Sequence, residues 1–457
     1  MEAETAAVFC DCSESAMKGI SKFLFLVGTC LYIYRIDIGA AKLTEYMYSL
    51  AIYAAFLYLL YEHDIAKLMY IRPSTYAWVA LAFLSVIFAT SLTLIRYDVS
   101  FDREGVRLLL KFVLNILLFM VLYVLFVDDK AFFRRMGHAL SVPLFIYAVF
   151  PFLPISVMGK FVDTGGYGGR FMGFSVTPGA VGYPMIEAIS FIYVEWLALR
   201  YYKSSWRFVW FAFLLGCIMV LIWSGCRLPL IAVVVCIFAG TFLFRAGMLK
   251  TRLSNTIIKS SLHFGVVSIL CFFALRFLVP LHVQETFTTR VFGLSMSKMS
   301  LDTSLIKLAL VKFTDPAVNP RLGSTVYYGD LCWRNPLGLG INCMQGFGRE
   351  LNGTKVPPDS FLSTLIHGGI VLAVAMAILI GSGFRSVARH VHSARRCQRD
   401  LLMVTYLGAA TALVGFLVTS LFAGFSTYDM RFWIVLAMCL AGLDTRSRGE
   451  VNQQPSC

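Results

Sequence analysis

Four arginines are the residues best suited to chemistry in this sequence: Arg170 in "GYGGRFMG", Arg227 in "SGCRLPL", Arg321 in "NPRLG" and Arg431 in "YDMRFW". Arginine keeps its proton in a protein and offers a planar fork of donors that fits phosphate or carboxylate. Gathered on one face, the four would hold a dianionic group, and a diphosphate at a membrane surface is the natural guest. The helix expected after Pro229 would add the partial positive charge of its N-terminus. Read alone, Arg227 is equally a residue that snorkels to the headgroup level.

Carboxylates are scarcer. Asp359, in "VPPDSFLSTLIHGG", stands where an apolar run begins. It suits a helix N-terminal cap, and it also suits a general base or hydroxyl positioner. Glu187 and Glu195 fall inside an apolar run, where pairing with an arginine of a neighbouring helix is the expected role. His367 reads as a packed histidine. Tyr327, Tyr328 and Trp333 could stack on sugar faces or serve as interfacial aromatics.

The elements that must position these residues are membrane spans. The chain of 457 residues is 58% hydrophobic and 14% charged, whereas soluble domains carry about 25% charged residues. Its apolar runs are continuous rather than alternating, which predicts helices and excludes a barrel. Runs of roughly 17–25 apolar residues cross a bilayer, and twelve candidates centre on 19–34, 44–61, 76–95, 108–127, 139–158, 180–200, 207–223, 229–244, 257–279, 360–381, 401–423 and 431–444. The fold class is therefore an all-α polytopic membrane protein of about 12 transmembrane helices.

Three regions follow: residues 1–280 with helices 1–9, a large outer loop at 281–357, and residues 358–457 with helices 10–12 and a tail. The acidic N-terminal segment reads as a cytoplasmic tail and an anchor rather than a removable signal peptide. Basic loops such as "RYYKSSWR" and "RSVARHVHSARRCQRD" are expected inside, which puts both termini in the cytoplasm and the four arginines outside. The net charge of +14 is then mostly topological, with some contact to anionic membrane lipids. No basic domain supports a nucleic-acid partner.

Within the outer loop, residues 294–313 have helical apolar spacing and predict either a surface helix or ordinary packing against helix ends. A second helix is predicted over 321–333, stopped by "RNPLGLG". Between Met219 and Cys236 two apolar runs flank a predicted six-residue break, 224–229. Cys332 and Cys343 either pair or remain two buried thiols. His390 and His392 read as solvated charge, and no metal-ligand spacing appears.

Three stretches, in order, resemble the superfamily of O-antigen ligases and Wzy-type polysaccharide polymerases. "GRFMGFSVTPGAVGYPM" is similar to its Arg-x-x-Gly segment, and "SGCRLPLIAVVV" to its Ser-x-Arg turn. The stretch from Arg321 through "NPLGLGI" to "PDSFLSTLIHGGIVLAVAMAIL" is similar to its Gly-x-Gly loop and following helix. Together they cover about 160–380. The family's ligases usually carry His-Asn at the start of span ten. Here Pro358 and Asp359 stand there, and His367 replaces a glutamate a few residues on, which favours a polymerase over a ligase.

The resemblance implies a glycosyltransferase of the bacterial inner membrane that joins oligosaccharide repeat units carried on undecaprenyl diphosphate at the periplasmic face. It implies no cofactor and no metal. Arg170, Arg227 and Arg321 would hold the diphosphate, with Arg431 and Tyr328 as further substrate contacts and Asp359, Arg227 and Arg321 as the catalytic set. A chain-length regulator of the polysaccharide co-polymerase type is a candidate partner. The competing expectations are an O-antigen ligase with a lipid acceptor and a transporter of lipid-linked oligosaccharide. A transporter should need no large outer loop and should carry charges along a central cavity through both leaflets.

Overall fold

Apolar runs this long leave the backbone one way to satisfy its own hydrogen bonds in a bilayer, the α-helix. The computed structural model describes residues 21–29, 71–97, 103–141, 178–224, 226–248, 328–341, 360–394, 401–420 and 429–441, with isolated helical positions between them. Among the described residues there are helices and connecting turns and no strands. The main helices are α1 (Pro73–Tyr97), α2 (Arg103–Asp128), α3 (Lys130–Ser141), α4 (Pro178–Tyr201), α5 (Arg207–Ser224), α6 (Arg227–Met248), α7 (Ser360–Ala394), α8 (Leu401–Ser420) and α9 (Met430–Ala441). Six of them, α1, α2, α5, α6, α7 and α8, contain stretches long and apolar enough to cross a membrane. The expected spans 44–61 and 257–279, and the helix expected at 294–313, lie outside the described residues apart from isolated positions, as does the expected span 139–158 beyond its first three residues, which end α3.

The centre of the bundle is α8, which packs against α3, α4, α6, α7 and α9. Lipid tails are as apolar as leucine, so helices in a bilayer associate through close packing rather than hydrophobic drive. Small residues supply that closeness here. A Cβ on Gly408 would lie 2.5 Å from the Phe191 ring, and one on Gly415 would overlap Ile186. These two contacts run α8 antiparallel to α4. Beside them, α4 and α6 run parallel: Gly182 faces Cys226 and Pro229 at one end, and Tyr193 shares a 2.5 Å hydrogen bond with Thr241 further along. Helices α7 and α9 are also parallel, with Gly383 beside Cys439 and Ser386 Oγ donating to Leu440 O at 3.2 Å.

Those contacts gather the N-termini of α4, α6, α7 and α9 at one rim. The opposite rim holds α3, which the apolar runs did not reveal. Asp129, Lys130, Arg134 and Arg135 interrupt the hydropathy, yet Phe132, Phe133, Met136 and Leu140 recur along one face and are buried. Gly137 of α3 fits against Thr405 and Phe191, and Phe133 packs on Tyr406 with ring centroids 4.4 Å apart. Asp129 begins α3. Its Oδ1 accepts the Phe132 N–H at 2.8 Å and its Oδ2 accepts Lys22 Nζ at 2.8 Å. Burial alone would raise the Asp129 pKa, but the bonds from Lys22 and from Phe132 N–H outweigh it and hold the carboxyl below its ordinary value.

Two readings of this rim are corrected. Helix α7 continues to Ala394 rather than ending near 381. His390 therefore sits on a helix, half-buried, with its ring centroid 4.3 Å from that of Tyr406, and is not a solvated loop charge. His138 on α3 stands 3.9 Å from Glu195 on α4, too far for a hydrogen bond. Burial, aided by the Arg134 charge, lowers the His138 pKa, so the imidazole favours its neutral form.

Candidate functional site

The site is assembled at the rim of the four N-termini, and its first part is the α5–α6 turn. Instead of the predicted six-residue break, only Gly225 and Cys226 separate the two helices, and Arg227 is the first residue of α6. Helix geometry explains the difference. The first four N–H groups of a helix have no internal acceptor, so Pro229 in the first turn gives up nothing. Ser224 Oγ donates to Leu221 O at 2.7 Å and accepts Cys226 N–H at 3.4 Å, while Cys226 O accepts Leu230 N–H at 3.3 Å. These bonds serve the Leu221 carbonyl near the end of α5, the Cys226 N–H and the first intrahelical acceptor of α6. Arg227 is positioned by its backbone, and its side chain lies outside the described part of the structure.

The second part is an ion cluster. Arg431 lies in the first turn of α9 and is 5% exposed; Glu187 on α4 is 1% exposed. Arg431 Nη1 stands 3.3 Å from Glu187 Oε1. Its Nε and Nη2 donate to the two oxygens of Asp429 at 3.0 and 2.5 Å, and its backbone N–H also bonds Asp429 Oδ1 at 3.0 Å. Glu187 thus meets an arginine of another helix, as expected for an intramembrane carboxylate. Lying five residues, about a turn and a half, along α4 from Gly182, it places Arg431 toward the same rim as the α5–α6 turn. The guanidinium of Arg431 is engaged by two carboxylates.

The third part is a loop set into a broken helix. Residues 328–334 form a short helix that stops at Asn335, whose N–H bonds Leu331 O at 3.1 Å, close to the predicted stop. Residues 336–341 then pack against α7, which departs from helical geometry at Gly369 (φ 66°, ψ −162°). Ile366 O and Ile370 N–H would bond each other in an unbroken helix. Here Ile366 O accepts Leu339 N–H at 2.5 Å and Ile370 N–H donates to Pro336 O at 2.9 Å. Ile341 N–H donates to Thr90 Oγ1 of α1 at 3.3 Å. Gly338, Gly340 and Gly369 all have positive φ. A Cβ on Gly340 would overlap the Thr90 backbone, and one on Gly369 would overlap Pro336 O. The glycines of the "NPLGLG" stretch are therefore required by close approach and by backbone conformation together.

Of the sequence-derived site residues, Arg227 and Arg431 are brought to the same rim as the loop. Tyr328 is there too, but buried at 4% exposure in a small cluster with Leu339, Leu362 and Ile366. Trp333 is instead 86% exposed. Cys332 Sγ faces Leu362 O at 3.8 Å. His367 is buried two residues before the break at Gly369, as a packed histidine would be. Arg170, Arg321, Asp359, Tyr327 and Cys343 lie outside the described residues. The partners of Arg431 and the break at Gly369 were not foreseen, although the "HGG" in "STLIHGGIV" is the sequence mark of the latter. The bundle and its apolar helices define a multi-pass membrane protein. Compared with models of protein families and with curated proteins, the sequence finds no match.

Proposed function

We propose that this chain is a Wzy-type polysaccharide polymerase, a twelve-span glycosyltransferase acting on undecaprenyl-diphosphate-linked repeat units at the periplasmic face of a bacterial inner membrane. The observation that supports this reading most is the shared rim. Arg227 at the start of α6, Arg431 at the start of α9 and the glycine loop seated in α7 lie at the same end of an all-helical bundle. Two of those features, the Arg227 turn and the glycine loop, belong to the stretches that carry the resemblance to the polymerase and ligase superfamily.

The proposed reaction joins two lipid-linked units. A hydroxyl at the non-reducing end of one unit attacks the anomeric carbon of the chain on the other carrier. The new glycosidic C–O bond forms as the C–O bond to undecaprenyl diphosphate breaks, and the diphosphate leaves with the electron pair. Asp359 takes the hydroxyl proton. Arg170, Arg227 and Arg321 hold the diphosphate as its charge grows, with Arg431 at the same rim fixed by its two carboxylates. Removing one such preorganised donor costs about 2.7–4 kcal/mol of barrier.

Purified protein supplied with lipid-linked repeat units, without added metal, should give a ladder of single-unit steps. Arg227→Ala should lower the rate by roughly 10²–10³-fold while expression and thermal stability stay near wild type. Wild-type turnover in that variant would overturn the clamp. Transfer to lipid A core would indicate a ligase instead, and no product with either acceptor would point to transport.

A further inference from the structure

At the rim opposite Arg227, α4 and α5 are joined by a short turn, residues 202–206, in the stretch "RYYKSSWR". The turn is rigid. Tyr202 N–H bonds Ala198 O at 2.9 Å, Lys203 N–H bonds Arg200 O at 3.2 Å, and Ser204 N–H reaches back to Leu199 O at 2.9 Å. That last bond closes a Schellman motif on α4, with Lys203 in the left-handed position (φ 55°) that glycine normally takes. A lysine there is strained.

The side chains around it are of two kinds. Arg200, Lys203 and Arg207 are cations within eight residues, and among the described residues none of them has a carboxylate partner. Arg200 lies 5.6 Å over the Trp196 ring and Arg207 lies 4.8 Å over Phe208, contacts that orient the guanidinium groups and leave their donors open. Tyr201, Tyr202, Trp206 and Phe208 are exposed, Trp206 at 64%. Arg207 is also the first residue of a helix long and apolar enough to cross the membrane. The turn must then lie in the headgroup layer, where tryptophan and tyrosine prefer to sit.

We propose that this turn binds the phosphate of anionic phospholipid headgroups in the leaflet at its rim. Arg200, Lys203 and Arg207 engage the phosphate and Trp206 and Tyr202 flank it at the level of the glycerol. A soluble acidic protein fits less well, because the exposed aromatic residues run directly into the apolar exterior of α5. Each cation near an anionic leaflet raises affinity by about fivefold.

The full-length protein is reconstituted in vesicles holding equal amounts of brominated lipid, either brominated phosphatidylglycerol or brominated phosphatidylcholine in an otherwise unbrominated background. The emission of Trp206 is taken as wild type minus Trp206→Phe. Phosphatidylglycerol should quench it several-fold more than phosphatidylcholine. Lys203→Gln/Arg207→Gln should bring the two lipids level, and Lys203→Arg/Arg207→Lys should keep the preference, which separates charge from folding. Equal quenching in wild type, or a preference unchanged in the glutamine variant, overturns the proposal. So does no quenching by either lipid, which would leave the turn outside the bilayer and open to a protein partner.

Discussion

Arg431 shows how one side chain can serve the fold and a site together. Its guanidinium answers two carboxylates at once, Glu187 from α4 and Asp429 from its own segment. Removing one partner of a buried ion pair costs about 3–5 kcal/mol, because the other charge is left without compensation. Arg431→Met should therefore be severely destabilised, read as a large fall in thermal midpoint in detergent. Arg431→Lys should fall between, since a point donor cannot reproduce the two-pronged contact through Nε and Nη2. Glu187→Gln should be the mildest, as it removes the charge and keeps an oxygen facing Nη1. Wild-type stability in Arg431→Met would mean that the cluster holds nothing in place. The sequence suggested this pairing only in kind: a carboxylate in an apolar run calls for a cation, but which one depends on α4 and α9 meeting.

At the scale of the element, two of the four glycines of α7 have roles that differ because their surroundings do. Gly369 occupies a backbone region open essentially to glycine alone, and a Cβ there would overlap the Pro336 carbonyl. Gly381 lies on the same helix with nothing within 4 Å of an added Cβ. Gly369→Ala should lose at least about 1–3 kcal/mol from backbone conformation, and the loop should come off its seat on α7. Gly381→Ala should be neutral or gain roughly 0.5–1 kcal/mol of helix propensity. Thermal unfolding of the two variants tests the contrast, and equal midpoints would mean that the break is dispensable. The stop at "RNPLGLG" was readable because Asn-Pro and glycine punctuate locally. The seating of that loop in a helix break was not, since it depends on backbone groups of residues far apart in sequence. Helix α3 was missed for a related reason: its charges conceal an apolar stripe visible only at helical spacing.

For the whole molecule, long apolar runs made the class of fold legible, and the described helices agree with most of the spans they cover. What the runs could not give was the packing, which rests on glycines such as Gly408 and Gly415 that look unremarkable in sequence. The two rims also differ in charge in a way that bears on orientation. Lys130, Arg134, Arg135, Lys203, Arg207 and Arg245 belong to the rim of α3 and the 202–206 turn. At the rim of Arg227 and Arg431, by contrast, Arg431 meets Asp429 and Glu187 and, on the short helix 328–334, Arg334 meets Asp330. Short basic loops stay in the cytoplasm, so the α3 rim should face inward. With native cysteines replaced, Ser205→Cys should react with a membrane-impermeant maleimide only in inside-out vesicles. Trp333→Cys should react only in intact spheroplasts. Labelling of both from the same side would place the arginines and the basic turn in one compartment, which a bundle with opposed rims does not allow.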